Sequence, residues 1–460
     1  MRNHRFQESV LREYDIRGVV GETLGEDDAY AVGRGFATVA ASRGLGRIVV
    51  GYDGRLTSVM LEGALVAGLT EAGMEVRRIG LGPTPMLYFA VHHLDADGGI
   101  MVTGSHNPPN FNGFKLTLGK APFYGAEIGD LGRMAEAGDW ASADGRSGED
   151  DVAEPYLDLL ARTYTSDRDL KVVWDCGHGA AGEIVTTLTD RLPGRHRVLF
   201  GQIDGTFPAH HPDPTVAENL DDLIRAVRAD GADLGFAFDG DGDRIGVVDE
   251  RGRIIWGDQL LAILARDVLA AQPGATVLAD VKASQILFDE IARLGGRPEM
   301  CKTGHSVIKS RMAEIGAPLA GEMSGHIFFA DKFFGHDDAI YASLRLLDHM
   351  AHTGSTAGAL LDSLPRVVNT PEIRIECDDA RKFQVPGEVE DRLRAAGASY
   401  SDIDGVRTKT EDGWWLIRAS NTQPALVVRC EAADEAGLAR LRAALRHQLE
   451  ASGLDAQALE

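Results

Sequence analysis

Thr103-Gly104-Ser105-His106-Asn107-Pro108-Pro109 is the stretch on which the reading of this chain turns. It follows the apolar run Ile100-Met101-Val102, which places Ser105 on a loop just past the C-terminal end of a strand. Open α/β sheets carry their reactive groups there. Asn107-Pro108-Pro109 halts any regular element and leaves the loop few conformations to lose. A fixed, exposed hydroxyl beside an imidazole can act as a nucleophile or carry a phosphoryl group. Taken alone, the heptapeptide reads equally well as a Ser/Asn-rich turn without chemistry.

Upstream, Arg47 to Asp53 reads as a buried strand, Ser58 to Ala72 as a helix ending at Gly73, and Glu75 to Ile79 as a second strand. Two such units before the Ser105 strand indicate a βα-type sheet. The pattern restarts twice. Leu170 to Asp175 leads into Gly177-His178-Gly179 and a helix, and Ala275 to Asp280 leads into Lys282-Ala283-Ser284 and another. A strand, an aspartate, small residues and a helix, met three times, suggest three copies of one α/β unit. Residues 138–150 are polar and Gly-rich and mark the first boundary. From Pro371 the segments shorten and alternate before one amphipathic helix from about Glu435 to Glu450, an α+β pattern. The expected domains are 1–148, 149–250, 251–367 and 368–460.

The second constellation is Asp239-Gly240-Asp241-Gly242-Asp243-Arg244, flanked by Leu234 to Phe238 and Ile245 to Val248, both strand-like. Carboxylates at alternate positions share one side of the chain, and the glycines allow a tight bend. Such crowding is costly unless a cation neutralises it, and all-oxygen ligands imply a hard ion such as Mg²⁺ or Ca²⁺. An EF-hand loop would also place Asp241, Asp243 and Glu250 at ligand positions. It is disfavoured by Arg244 where that loop needs glycine and by flanks that read as strands. An exposed serine paired with an all-carboxylate site argues for phosphoryl transfer.

Gly321-Glu322-Met323-Ser324-Gly325-His326 offers a carboxylate, a hydroxyl and an imidazole at alternate positions, suited to sugar hydroxyls or to a satisfied polar turn. Arg418-Ala419-Ser420-Asn421-Thr422-Gln423-Pro424 combines a guanidinium with neutral donors on a turn, which suits a phosphate dianion, although a hairpin turn remains open. Tyr14, Arg17, Lys115, Lys282 and His305 are further candidates, each with a surface or satisfied polar role as the alternative.

Composition narrows the partners. The chain has 460 residues, 44% hydrophobic and 25% charged, with a net charge of −23. That length divides into three or four domains, and the acidic balance disfavours nucleic acid and anionic membranes. Four widely spaced cysteines without a CxxC pair fit thiols in a reducing compartment. No signal peptide or membrane span is visible, so a cytoplasmic protein is expected.

Together, TGSHNPPNFNGFK (Thr103 to Lys115), DGDGDR (Asp239 to Arg244), GEMSGH (Gly321 to His326) and RASNTQP (Arg418 to Pro424) resemble the α-D-phosphohexomutase superfamily, bacterial phosphomannomutase/phosphoglucomutase branch. The resemblance covers nearly the whole chain. It implies three related mixed-sheet α/β domains and a C-terminal α+β, TATA-box-protein-like domain around a central cleft. It also implies reversible conversion of hexose 6-phosphate to hexose 1-phosphate through a hexose 1,6-bisphosphate, which also serves as activator, in a monomer whose partners are small sugar phosphates. By the same resemblance Ser105 is the phosphoserine, and Mg²⁺ is held by Asp239, Asp241, Asp243 and the Ser105 phosphate. Glu322 and Ser324 contact sugar hydroxyls with His326 nearby, and Arg418, Ser420, Asn421 and Thr422 hold the phosphate that is not transferred. Tyr14, Arg17, Lys282 and His305 line the cleft. His106, Lys115 and Arg244 lie near the transferring group, with Lys115 preferred over His106 as proton acceptor. Met323 resembles the branch that accepts both mannose and glucose, and an amino-sugar preference is the alternative. A sugar-phosphate phosphatase and a non-catalytic sugar-phosphate sensor are the competing functions.

Overall fold

A computed structural model describes residues 3–421 and 423–459 of the chain. Its first three sheets repeat one plan. In the first, Arg47–Tyr52 lies between the parallel strands Glu75–Leu81 and Gly98–Val102, and Phe111–Leu118 returns antiparallel to the latter. In the second, Lys171–Asp175 lies between parallel Arg195–Leu199 and Leu234–Phe238, with Ile245–Asp249 returning antiparallel. In the third, Thr276–Asp280 lies between parallel Arg297–Cys301 and Leu319–Gly321, with Ile327–Phe329 returning antiparallel. The expected threefold repeat of a mixed α/β unit is therefore present.

The repeat has a consequence for function. In every unit the connection from third to fourth strand carries one of the motifs: Ser105 in the first, the three aspartates in the second, Glu322 to His326 in the third. The aspartate that closes the opening strand is buried in every unit (Asp53, Asp175, Asp280). Asp53 accepts from the backbone N–H of Gly104 and Asp280 from that of Met323, so two of the three functional loops are braced by their own unit's aspartate.

One apolar cluster runs through the units. It includes Tyr88 and Phe89 on helix Thr84–His93 of the first, Tyr156, Trp174 and Phe236 of the second, and Leu261, Phe329 and Leu346 of the third. Shared burial of this kind holds the loops in a common frame.

The fourth sheet is antiparallel, ordered Val368–Asn369, Ala425–Ala432, Gly413–Ala419, Val406–Lys409, Tyr400–Ser401, with Ile373–Glu376 also on Ala425–Ala432. Strand Gly413–Ala419 is buried on both faces. Trp415 and Ile417 join the core under helix Glu435–Ala451, whereas Trp414 and Leu416 pack with Val281 of the third unit. Arg407 donates to the carbonyls of Val281 and Ala283 at 2.7 and 2.8 Å and lies over Trp414, fastening this domain to the third.

Two elements differ from the sequence reading. Helix Val385–Ala395 joins Glu435–Ala451 in the C-terminal domain, because proline in a first turn is compatible with a helix despite the loop-like Val385-Pro386-Gly387. Arg146–Glu149, inside the stretch read as a linker, is an exposed edge strand beside Glu75–Leu81. Its backbone pairing and the Arg146–Glu75 ion pair at 3.1 Å hold it, and its exposed polar side chains give no apolar alternation. Among the described residues no helix is long and apolar enough to cross a membrane, and all four cysteines are unbridged and buried.

Asp338 caps helix Ala339–Thr353, accepting from the Tyr341 N–H at 2.8 Å and the Tyr156 hydroxyl at 2.7 Å. Burial pushes its carboxyl up to about 7 from an ordinary 3.8. The folded chain therefore keeps a proton that the unfolded chain loses, and stability from this group, full below about pH 4, is lost as pH rises to 7. Asp338→Asn should flatten the fall in thermal midpoint between pH 5 and pH 8; an unchanged slope would contradict the assignment.

Candidate active site

Ser105 is buried and sits at φ 48°, a left-handed conformation uncommon for serine. Asp53 Oδ2 accepts from the Thr103 hydroxyl (2.8 Å) and the Gly104 N–H (3.1 Å), and Thr103 Oγ1 accepts from the Ser105 N–H (2.8 Å). On its outer side Ser105 Oγ donates to Asp239 Oδ2 at 3.1 Å and lies 3.2 Å from His106 Nδ1. Arg17 donates to the Gly104 carbonyl at 3.0 Å and to Asn107 Oδ1, and is itself held by Asp15. Gly240 makes the approach of the two loops possible, since a Cβ there would stand 2.4 Å from the Ser105 carbonyl oxygen.

Asp239, Asp241 and Asp243 have no exposed surface, and one oxygen from each lies within 4.8 Å of the others. Asp239 Oδ1 accepts from the backbone N–H groups of Asp243 and Arg244, which closes the loop. Lys115, buried on Phe111–Leu118 of the first unit, donates to Asp241 Oδ2 at 2.7 Å and to Asp243. Thr84 adds a hydroxyl to Asp241. Burial alone would lower the Lys115 pKa, but Asp241, Asp243 and Asp239 outweigh it and raise it, so Lys115 is an ammonium. Burial, then the repulsion of Asp241 and Asp243, pushes Asp239 well above the carboxylate range. For Asp241, burial is overcome by Lys115, which holds it low.

One ammonium does not balance three carboxylates. Asp241 Oδ1 and Asp243 Oδ1 are buried without a hydrogen-bond partner, an expensive state for a carboxylate oxygen unless a cation faces it. An all-oxygen donor set with two orphaned oxygens fits a hard divalent cation.

From the third unit, His326 lies against this group. Its Nε2 accepts from Arg244 Nε at 2.9 Å, which leaves the proton on Nδ1, 2.9 Å from Asp337. Asp337 is also held by Lys309 Nζ at 2.9 Å. His305 stacks on His326 with centroids 5.4 Å apart, and burial followed by the Lys309 charge keeps it well below the usual histidine range, hence neutral.

Glu322 Oε1 accepts from the Gly304 N–H at 2.6 Å, while the Ser324 hydroxyl lies 3.4 Å from Oε2. A second charged group, of basic residues paired with carboxylates, gathers where the third and fourth domains meet. Lys282 Nζ donates to Glu372 at 3.0 Å, and Arg418 Nε donates to Asp404 at 2.9 Å. Burial would lower Lys282, but Glu372 and Asp280 raise it, and Lys282 in turn holds Glu372 down to about 2. The Tyr14 hydroxyl donates to the Thr303 carbonyl at 2.7 Å and accepts from Asn421 Nδ2, joining the first, third and fourth domains. Ser420 Oγ accepts from the Gln423 N–H at 3.2 Å, and Thr422 lies outside the described residues.

The predicted residues thus fall into two connected groups, an acidic one around Ser105 and one of paired charges around Arg418. Sequence reasoning missed Asp53, Thr84, Lys309, Asp337, Glu372 and Asp404. Asp53 was visible only as the residue closing a strand, and the site contacts of all six lie with residues remote in sequence, so no local motif signals their place here.

The chain matches the family models described as phosphoglucomutase/phosphomannomutase alpha/beta/alpha domain I over residues 8–129, domain II over 154–252, domain III over 256–368 and C-terminal domain over 372–448. It is similar to the phosphomannomutase/phosphoglucomutase of Pseudomonas aeruginosa, 43% identical over 96% of each chain. It is also similar to the phosphoglucomutase of Neisseria gonorrhoeae, 42% identical over 96% of this chain and 97% of that one. The crystal structure of a phosphoglucomutase/phosphomannomutase family protein from Burkholderia thailandensis superimposes with a TM-score of 0.92 at 41% identity, covering 97% of this chain and 98% of that one. With all four models matched in order across a fold of three repeated units and a fourth domain, this chain belongs to the phosphoglucomutase/phosphomannomutase family of the α-D-phosphohexomutase superfamily.

Proposed function

We propose that the chain interconverts hexose 6-phosphates and hexose 1-phosphates, mannose and glucose among them, by carrying the phosphoryl group on Ser105. The observation that carries this reading is the 3.1 Å contact between Ser105 Oγ and Asp239, a hydroxyl from one domain against a buried carboxylate cluster of another. A structural serine has no need of such a neighbour. Asp239, Asp241 and Asp243 would hold Mg²⁺, which neutralises charge on a phosphoryl group in transfer.

In the forward half-reaction the sugar's free hydroxyl oxygen bonds to phosphorus as the bond to Ser105 Oγ breaks, giving the 1,6-bisphosphate. The bisphosphate, reoriented, returns its other phosphoryl group to Ser105. Lys115 and Arg244 supply positive charge beside the transferring group. Lys115 and, less favoured, His106, whose Nδ1 lies 3.2 Å from Oγ, are the two groups placed to accept the attacking hydroxyl's proton and return it to the departing Ser105 Oγ. Burial, then the charges of Arg244 and Arg17, keep His106 unprotonated. Glu322, Ser324 and His326 would take the sugar hydroxyls. Arg418, Ser420, Asn421 and Thr422 would hold the distal phosphate, with Tyr14, Lys282 and His305 lining the cleft and Arg17 beside the phosphoserine loop. The four unbridged cysteines support a reducing, cytoplasmic setting.

Ser105→Ala should lower turnover of mannose 1-phosphate and glucose 1-phosphate by roughly three orders of magnitude or more while sugar phosphate still binds; undiminished turnover would refute the covalent route. Asp239→Asn, Asp241→Asn and Asp243→Asn should each weaken Mg²⁺ binding measured by titration calorimetry, and full Mg²⁺ affinity in all three would remove the metal assignment. A mutase converts one sugar phosphate to the other with little inorganic phosphate, so stoichiometric phosphate release would favour the phosphatase reading instead.

A further inference from the structure

The Ser105 loop is tied from within by a side chain that neither the acidic cluster nor the sugar-binding loops account for. Arg55 follows strand Arg47–Tyr52 and its side chain is 0% exposed. Its Nη1 donates to the carbonyls of Pro108 (2.5 Å) and Phe111 (2.9 Å), and its Nη2 to those of Ser105 (2.7 Å) and Asn107 (2.6 Å). Asp53 Oδ2 orients the guanidinium through Nε at 3.2 Å, and the same oxygen accepts from Thr103 and Gly104 at the start of the loop. Gly104 leaves room for this packing, since a Cβ there would stand 2.4 Å from the guanidinium carbon. The ring of Phe207, from the second domain, covers the guanidinium at 5.2 Å.

Two physical consequences follow. The planar, permanently charged fork fixes four carbonyls at once, which a point-charge ammonium with three donors cannot do. A serine at φ 48° persists only where its surroundings over-determine it, and this fork does so. Second, the four carbonyl oxygens are drawn inward, so their negative ends face the guanidinium and not the Oγ side, where an anionic phosphoryl group would stand.

We propose that Arg55 is the positioning residue for phosphoryl transfer at Ser105, and that the rigidity it imposes decides whether the phosphoryl group passes to sugar or to water. The proposal rests on the reading of Ser105 as phosphoryl carrier. In a loosened loop a water oxygen bonds to phosphorus as the P–Oγ bond breaks and one water proton passes to Oγ. Ser105 and inorganic phosphate result, and the transfer is lost.

The test compares the full-length wild type with Arg55→Lys and Phe207→Leu. It measures kcat and KM for glucose 1-phosphate in the presence of glucose 1,6-bisphosphate and Mg²⁺, together with inorganic phosphate released per mutase turnover. For Arg55→Lys, kcat should fall about 100-fold with KM little changed, and phosphate released per turnover should rise about tenfold, as expected for a reacting group displaced by about an ångström. Phe207→Leu, which keeps Arg55 but thins its cover, should raise the phosphate ratio by a smaller factor. A folded Arg55→Lys enzyme with the wild-type phosphate ratio overturns the proposal, whatever its kcat. If that variant does not fold, a wild-type ratio in Phe207→Leu overturns it instead. A wild-type chain with no turnover at all would overturn the Ser105 reading and this inference with it.

Discussion

Three carboxylates without exposed surface, with oxygens within 4.8 Å of one another, set the terms for everything around them. Left alone they would repel or take up protons. The chain answers with groups from the first domain and from the loop itself. Lys115 and Thr84 come from the first unit, Arg244 from the same loop, and the Ser105 hydroxyl approaches Asp239 across the domain boundary. Asp241 Oδ1 and Asp243 Oδ1 still remain without a hydrogen bond, His326 Nδ1 lying 3.6 Å from the latter. The cluster is thus an incomplete electrostatic unit, of the composition that a hard cation would complete.

Repetition explains how these groups come to share a space. Three sheets with one strand plan put their third-to-fourth-strand connections at equivalent places, and packing the units through a shared apolar core points those connections at one another. One unit supplies the Ser105 loop, the next the acidic cluster, the third the loop from Glu322 to His326. The antiparallel fourth domain, docked through Trp414, Leu416 and Arg407, adds the group of paired charges around Arg418. The Tyr14 hydroxyl ties the first domain to both the third and the fourth, so that group is fixed relative to Ser105.

Much of this was legible before any coordinates. Ser105 follows an apolar run, and the three aspartates lie between two such runs, so loop positions could be inferred from neighbours in sequence. The repeat was visible as a strand ending in aspartate before small residues. What escaped was whatever depends on contact alone. Arg55 looks like an ordinary polar residue after a strand, and only the folded loop shows four carbonyls converging on one guanidinium. Asp337 and Lys309 are silent for the same reason, since their partners lie on separate elements. Lys115 is a candidate from its motif, and the fold brings it to Asp241 and Asp243. Its charge state was not legible in the motif, because that is set by carboxylates more than a hundred residues away.

The central claim is that Ser105 carries the phosphoryl group between two positions of one sugar. It is tested most directly by single-turnover transfer from a hexose 1,6-bisphosphate labelled with radioactive phosphorus. Residue 105 should acquire the label in a peptide map and surrender it to added unlabelled hexose monophosphate. Label found on another residue, or recovered only as inorganic phosphate, would contradict the account.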